Sequence, residues 1–423
     1  MAIRSGVTTQ RWSGAPGLAL LICLQMLPAT MISPAIRPLF AETHKGAEGA
    51  MQAFMALSML GGILATPLLA RVRPLMRHPT RFAGVLCLID GLLLAAMSLP
   101  IATSTVLGLR LLDGAAHVSA STVLMSEAAR FGRSIGNGRA MGLAGGGIML
   151  AIAFGSALGG GLLTLGPRAP FAASALLSFA VAALLALRPS APELEPEAAS
   201  EAGIGMRQLA VPISAAFVER FTVGCLVVTF ALFAHRGFGL SDAAVGLHFA
   251  AFTIPFALLM YPVGRLSDSV PRSSILGLGG VAYSLSLLGL GYASAQWLWL
   301  PMFAGGCASA LMFSPTLSYA ASIAGPAGRT RAMSWVNSAG CLGMLLGPVA
   351  AGVTSAAFSG SPDPLSRYRA VFVLAAAAVL IWTLVVRTWL SRSYRVEMAH
   401  LAAHLEAEPR GLAVPALRAA PLR

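Results

Sequence analysis

The chain has 423 residues, of which 57% are hydrophobic and only 11% are charged, and its mean hydropathy is +0.76. Charged residues make up about 25% of an ordinary soluble domain, so this composition excludes a soluble globule and indicates a protein embedded in lipid. The net charge of +13 does not indicate nucleic-acid binding, because the basic residues are scattered between apolar runs. The five cysteines lie inside apolar runs without a metal-ligand spacing, so no zinc site is predicted.

Apolar runs long enough to cross about 30 Å of hydrocarbon as an α-helix recur along the chain. The predicted helices are 15–36, 51–70, 82–99, 104–126, 141–166, 169–187, 209–234, 243–263, 274–293, 297–323, 333–358 and 370–390. The polar stretch 188–208 is rich in Pro, Glu, Ala and Ser and is predicted to be a flexible linker. The sequence therefore predicts an all-α membrane protein of twelve transmembrane helices, with bundles at 1–187 and 209–390 and a cytoplasmic tail at 391–423.

The positively charged residues are unevenly distributed between the polar segments that separate these runs. Most of the 29 Lys and Arg residues lie in segments on the same side of the membrane as the two termini. Because cytoplasmic loops are enriched in Lys and Arg, both termini are predicted to be cytoplasmic. Lys45 is the only lysine, and this preference for arginine is typical of a GC-rich bacterial genome. We therefore expect a bacterial cytoplasmic (inner) membrane protein.

The two halves of the chain resemble each other. Four residue pairs are separated by the same number of positions: Arg139 and Arg331, Gly155 and Gly347, Gly114 and Gly306, and Gly160 and Gly352. Duplicated units of this kind are a recurrent plan of secondary transporters. The repeat predicts two pseudo-symmetric six-helix bundles.

The loop between predicted helices eight and nine has the sequence GRLSDSVPR (residues 264–272). A glycine, an aspartate four residues later and then basic residues resemble the loop signature of the major facilitator superfamily, and the resemblance covers nearly the whole chain. It implies a cytoplasmic gate motif formed by Gly264, Asp268 and Arg272, in which the aspartate pairs with a basic group or caps a neighbouring helix. An ordinary polar turn is the alternative. The equivalent loop of the first half, residues 70–78, has no carboxylate.

Glycine-rich runs in predicted helices five and eleven resemble the signature of drug/proton antiporters in that superfamily. The residues concerned are Gly155, Gly159 and Gly160 in helix five and Gly347, Pro348 and Gly352 in helix eleven. Small residues allow helices to pack closely, and proline permits a bend. We predict a helix-packing gate here, although Ser156 replaces the signature proline. Glycine-rich packing without antiport is the alternative.

Ionisable residues inside apolar helices are costly and are candidates for function. Arg110, Asp113 and His117 are spaced i, i+3, i+7 and form one stripe on helix four, which resembles the arginine motif of the family. Glu219 and Arg220 lie in helix seven, project about 100° apart and are not expected to neutralise each other. The resemblance implies that both helices line the central cavity, so that these five residues bind the coupling proton and the solute.

The roles of these residues stay open in part. Asp113 is the predicted proton carrier, with His117 as a relay or a structural histidine and Glu219 as the rival carrier. Salt bridges between the two helices, from Glu219 to Arg110 or from Asp113 to Arg220, are the alternative to a functional role. Asp90 is ranked lower, because helix three is peripheral in this family.

No GxSxG, HExxH, Walker A or dinucleotide-binding motif occurs in the chain, so neither an enzyme nor an ATP-driven pump is predicted. We expect a monomeric secondary active transporter without cofactor or metal, whose partners are a small solute, protons and the lipid bilayer. The leading interpretation is proton-coupled export of a small amphipathic or drug-like solute. The alternatives are proton-coupled uptake of a small organic anion, and a non-transporting sensor or assembly factor on a transporter fold.

Overall fold

The computed structural model describes residues 14–43, 48–69, 71, 78–188 and 206–407. These residues are almost entirely α-helical, as a lipid solvent requires, because a helix satisfies its backbone hydrogen bonds internally. The long helices are α1 (Ala15–Met31), α2 (Glu48–Leu69), α3 (Pro79–Met97), α4 (Thr103–Arg130), α5 (Asn137–Leu162), α6 (Ala169–Leu187), α7 (Met206–Phe238), α8 (Asp242–Leu266), α9 (Arg272–Tyr292), α10 and α11 (both within Trp299–Ala357), and α12 (Ser366–Ala407). The short helices Ile36–Thr43 and Gly132–Ile135 follow α1 and α4. Most of the predicted linker, like residues 408–423 of the predicted tail, lies outside the described residues.

A break at Gly325 separates α10 from α11. Its φ of 57° and ψ of −179° lie in a region that glycine adopts at little cost. The candidate membrane spans on either side are Ala295–Gly325 and Gly328–Ala357, and α10 and α11 are the parts of Trp299–Ala357 that belong to the first and to the second span. The chain therefore reverses at this glycine, as the separate predicted helices 297–323 and 333–358 require.

Eleven of the described helices are long and apolar enough to cross a membrane. The remaining long helix, α4, packs against α2 and α3 inside the same bundle. It carries the buried polar residues Arg110, Asp113 and His117, which lower its hydropathy. The prediction of an all-α membrane protein with twelve transmembrane helices is confirmed, and its one polar span is the helix with the candidate stripe.

Equivalent helices pack together in the two bundles. In the N-terminal bundle α1 packs on α5, α2 on α4 and α3 on α6. In the C-terminal bundle α7 packs on α11, α8 on α10 and α9 on α12. Each pair of the first bundle has its counterpart in the second, as expected for two pseudo-symmetric units.

The bundles contact each other through α5 with α8 and through α2 with α11. We call the membrane side on which α1 begins and α12 leaves the bilayer the terminal side. A Cβ atom on Gly142 of α5 would lie 2.7 Å from the Met260 carbonyl oxygen of α8, and one on Gly62 of α2 would lie 3.1 Å from Cys341 Sγ of α11. All four residues lie in the terminal-side half of their helices, so the bundles are closed against each other on that side.

Candidate functional site

Asp268 joins the two bundles at the terminal side. It lies in the turn after α8, and its carboxylate accepts hydrogen bonds from the backbone N–H groups of Gly138 (2.6 Å) and Arg139 (3.1 Å). Both donors belong to the first turn of α5, where N–H groups have no partner within the helix and the helix dipole favours a negative charge. Asp268 therefore caps α5, which is one of the two roles that its motif predicts.

Gly264 and Gly138 bring α8 and α5 into backbone contact beneath this cap. A Cβ atom on either glycine would clash with the carbonyl oxygen of the other. Arg272, the third residue of the predicted gate motif, instead donates to Ser322 Oγ at 2.8 Å within its own bundle. The link between bundles is thus made by the glycines and the aspartate, whereas Arg272 supports the turn from inside the C-terminal bundle.

Three further hydrogen bonds connect α11 with the N-terminal bundle. Asn337 Nδ2 donates to Thr122 Oγ1 at 2.7 Å, and the Ser126 and Thr330 hydroxyls lie 2.9 Å apart. Ser338 Oγ donates to a backbone carbonyl of α2 at 3.0 Å. Sequence reasoning missed these residues, because single Ser, Thr and Asn side chains in apolar helices carry no motif. Two of the bonds fix one face of α4 against α11, and the third joins α2 to α11.

The glycine-rich runs pack against the first helix of their own bundle. A Cβ atom on Gly155 would clash with Thr30 of α1, and one on Gly159 would clash with the α1 backbone. In the second bundle a Cβ atom on Gly347 would clash with the Phe221 carbonyl of α7. Close helix packing therefore requires glycine at these three positions.

Two of the predicted packing residues, Gly160 and Gly352, do not pack closely against a neighbouring helix. A Cβ atom on Gly160 or Gly352 would meet no atom within 4 Å. The prediction for these two is wrong. Gly160 follows Gly159 directly but projects about 100° away from it around α5, and Gly352 lies more than a turn beyond the contact of Gly347 with α7. Pro348 does contact α7, since a Cβ atom on Gly224 would lie 2.9 Å from its Cδ.

The stripe on α4 forms a buried polar cluster with α1 and α3. Arg110 forms an ion pair with Asp113 one turn away. His117 Nδ1 lies 3.4 Å from Asp90 Oδ1 of α3, and Gln25 Nε2 of α1 donates to the His117 carbonyl at 3.1 Å. All five side chains are buried, so the cluster is an ionisable site within the hydrocarbon layer.

The cluster faces the interior of the N-terminal bundle. The Arg110 guanidinium lies 4.8 Å from the ring centroid of Phe54 on α2, and Ser178 of α6 donates to Asp90 at 2.8 Å. The opposite face of α4, with Thr122 and Ser126, contacts α11. The expectation that the stripe points at the central cavity is therefore wrong. The i, i+3, i+7 spacing fixes a common face but not the neighbour that this face meets.

Glu219 and Arg220 of α7 form an ion pair with each other, with Arg220 Nε 3.3 Å from Glu219 Oε2. The expectation that they do not neutralise each other is wrong, because both side chains are long enough to bend across the angle between their Cα–Cβ bonds. The ion pairs considered between α4 and α7 are not found among the described residues. Glu219 is 2% exposed, whereas 22% of the Arg220 side chain is exposed, with its guanidinium 4.8 Å from the Phe313 centroid of α10.

Asp90, which sequence reasoning ranked lower, belongs to the same buried cluster as the stripe on α4. It is 3% exposed and contacts both His117 and Ser178. The sequence did mark Asp90 as a candidate, since a carboxylate in the middle of an apolar helix is costly wherever that helix lies. The peripheral position of helix three argued against it, but α3 packs directly on α4.

Comparisons with known proteins agree with this architecture. The family model described as Major Facilitator Superfamily matches residues 18–234 and 212–421. None of the curated proteins matches the chain significantly.

Three solved structures share the fold. The human organic anion transporter MFSD10 (TETRAN) has a TM-score of 0.65 at 16% identity, over 89% of this chain and 99% of that chain. The proton:xylose symporter XylE has a TM-score of 0.66 at 15% identity, over 86% and 94%. A double tryptophan mutant of XylE has a TM-score of 0.69 at 14% identity, over 87% and 94%. The family match, two equivalent six-helix bundles and the capped loop after α8 lead to one conclusion: this chain is a member of the Major Facilitator Superfamily.

Proposed function

We propose that this chain is a proton-coupled secondary active transporter that exports a small amphipathic or drug-like solute. Family membership supports solute transport, and the fold is shared with a proton symporter and an organic anion transporter. The chain acts as a monomer in a bacterial cytoplasmic membrane, with its terminal side towards the cytoplasm, since most of its arginines are predicted on that side.

The main observation in support of proton coupling is the excess negative charge of the buried cluster in the N-terminal bundle. Asp113 is 1% exposed and Asp90 is 3% exposed, and Arg110 supplies the one permanent positive charge beside them. With His117 neutral, the cluster has one negative charge in excess. A buried charge inside a membrane is expensive, so the binding of one proton relieves that cost.

In this proposal Asp113 carries the coupling proton. Burial favours its neutral acid, while the Arg110 guanidinium favours its carboxylate, so a small change in their geometry moves the proton. His117 lies beside the acids and relays the proton. Glu219 remains the rival carrier, because its carboxylate is also buried and accepts no hydrogen bond from the described residues.

In this proposal, α4 links the proton site to the conformational change. One face of α4 carries Arg110, Asp113 and His117, and the other carries Thr122 and Ser126, which bond to α11 across the bundle boundary. A shift of α4 that accompanies protonation would alter those bonds directly. Protonation and closure of the terminal side are thereby coupled through one rigid helix.

Aromatic side chains near Arg220 support an amphipathic solute. The rings of Phe217 and Phe221 stack at 6.0 Å on α7, and Phe313 of α10 contacts the Arg220 guanidinium. The partly exposed Arg220 side chain also favours a second candidate function, proton-coupled uptake of a small organic anion, because guanidinium groups bind carboxylates well.

Transport in membrane vesicles of both orientations tests these proposals. The solute is first identified by comparing the metabolites exported by a deletion strain and its parent. An exporter accumulates this solute in everted vesicles when a proton gradient is applied. Accumulation only in right-side-out vesicles would instead establish uptake. If purified, reconstituted protein moved neither protons nor solute, the chain would be a sensor or assembly factor.

A further inference from the structure

Two carboxyl groups meet inside the N-terminal bundle. Asp90 of α3 and Asp113 of α4 lie within hydrogen-bonding reach of each other. One oxygen of each is occupied, by the Ser178 hydroxyl at 2.8 Å for Asp90 and by Arg110 for Asp113. The other oxygen of each, Oδ1, is buried. That of Asp90 faces His117 Nδ1 at 3.4 Å, whereas that of Asp113 has no hydrogen-bond partner among the described residues. An acceptor without a donor therefore lies beside a second buried carboxyl group.

The groups that face this pair can be counted element by element. They are Gln25 from α1, Phe54 from α2, Cys87 and Asp90 from α3, Arg110, Asp113 and His117 from α4, and Ser178 from α6. Arg110 is the one permanent cation in this set, and the two carboxylates exceed it by one negative charge. A single proton removes both the excess charge and the repulsion between the carboxylates.

We propose that Asp90 and Asp113 bind one proton between them, as a carboxylic acid hydrogen-bonded to a carboxylate. The proton enters from water, neutralises one negative charge and leaves as one proton, so no other group changes its charge. The hydrogen supplies a donor to a carboxyl pair in which Asp113 Oδ1 has none among the described residues. This inference rests on the proposed function for its role in transport, and it makes Asp90 an equal member of the proton site.

Two alternatives, a proton on His117 and a metal ion in the cluster, fit the structure less well. A proton on His117 Nδ1 would face Asp90 Oδ1 at 3.4 Å but would leave Asp113 Oδ1 without a donor, and Nε2 of that ring has no partner among the described residues. The imidazolium would therefore bury an additional unpaired N–H group. A metal ion would compete with the guanidinium of Arg110, and no group of three or more potential ligands is placed to hold one in the described parts of the chain.

The test is a count of protons bound by purified protein in lipid nanodiscs, without solute or gradient. Uptake is titrated across the neutral pH range, and each variant is compared with the parent. Asp90→Asn and Asp113→Asn should each lose one proton, because either substitution leaves a neutral cluster. The double variant should also lose one proton rather than two. His117→Gln should lose none, as should Asp363→Asn, the control at a partly exposed carboxylate whose partner, Arg369, stays charged at all these pH values.

Infrared spectroscopy of the parent protein provides a measurement without variants. We expect the carbonyl band of one protonated, strongly hydrogen-bonded carboxyl group, which either Asn substitution removes. The proposal is overturned if the double variant loses two protons, if either single variant loses none, if His117→Gln loses the proton, or if the carboxyl band is absent.

Failure of this proposal can be separated from failure of the proposed function. If one shared proton is counted but a pH gradient drives no solute flux, the site stands and proton-coupled transport is wrong. If flux is proton-driven but the Asp90→Asn variant still binds the same proton, transport stands and the shared site is wrong.

Discussion

The carboxylate of Asp268 lies 2.6 Å from the backbone nitrogen of Gly138, although the two residues belong to different bundles. This hydrogen bond exists only while α8 and α5 are in contact on the terminal side. Its free energy, and that of the second bond to Arg139, therefore stabilises the closed terminal side relative to the open one.

Replacement of Asp268 by Asn should slow transport while leaving solute binding largely intact. The amide keeps the size of the side chain but loses the charge that the α5 N-terminus favours. Loss of a negative charge at a helix N-terminus costs about 0.3–1 kcal/mol, which shifts the equilibrium between closed and open states by up to about fivefold. Initial transport rates and equilibrium solute binding measure the two effects. Asp242→Asn is the control, and an unchanged rate in Asp268→Asn would remove the gate role.

Gly138→Ala should open the terminal side. The new methyl group would clash with the Gly264 carbonyl, which belongs to the other bundle and cannot move aside within a packed helix. Distances between spin labels on the two bundles should lengthen on this side. Gly146→Ala, on the same helix, is the matched control, because its Cβ atom would lie 3.6 Å from Met260 Cβ in ordinary contact. Equal distance distributions for the two variants would contradict the clash.

Gly347→Leu should express poorly or be held in one conformation. Its side chain would enter the α7 backbone at Phe221, inside a single bundle. Gly352→Leu should express and transport like the parent, since open space surrounds that position. Yield in the membrane, thermal stability in detergent and transport rate distinguish the two. Normal behaviour of Gly347→Leu would show that close packing is not required there.

Asp113→Asn should abolish proton-driven accumulation yet permit solute exchange, because neutral Asn resembles the protonated acid. Glu219→Gln should retain accumulation, although its neighbour Arg220 loses an ion-pair partner. The measurements are solute accumulation under a pH gradient and exchange without one. The reverse pattern, with accumulation intact in Asp113→Asn and lost in Glu219→Gln, would place the proton site on α7.

Much of this fold could be predicted because lipid restricts the possible structures. A chain in hydrocarbon must be helical over each span, so apolar runs locate helices, and the charges between them divide the two sides. The role of the loop at Asp268 could also be predicted, since its glycine and aspartate act through local backbone geometry. Even α4, with its ionisable stripe, was long enough to be recognised as a span.

The neighbours of each helix could not be predicted in the same way. The spacing of Arg110, Asp113 and His117 defined a face of α4, but the contact of that face with Asp90 depends on how α3 and α4 are rotated. Likewise, Gly160 belongs to the same run as Gly159, yet only the latter meets α1. Helix rotation is set by the packing of the whole bundle, which a local pattern does not contain.

The contact between Gly62 and Cys341 gives the protein a chemical reporter of its own conformation. The half-buried thiol lies where α2 and α11 meet across the bundle boundary, so α2 covers part of its surface while the terminal side is closed. Parting of the bundles would uncover it. The rate at which Cys341 is alkylated, with a Cys341→Ser variant as the blank, would therefore follow alternating access in the native chain without an engineered label.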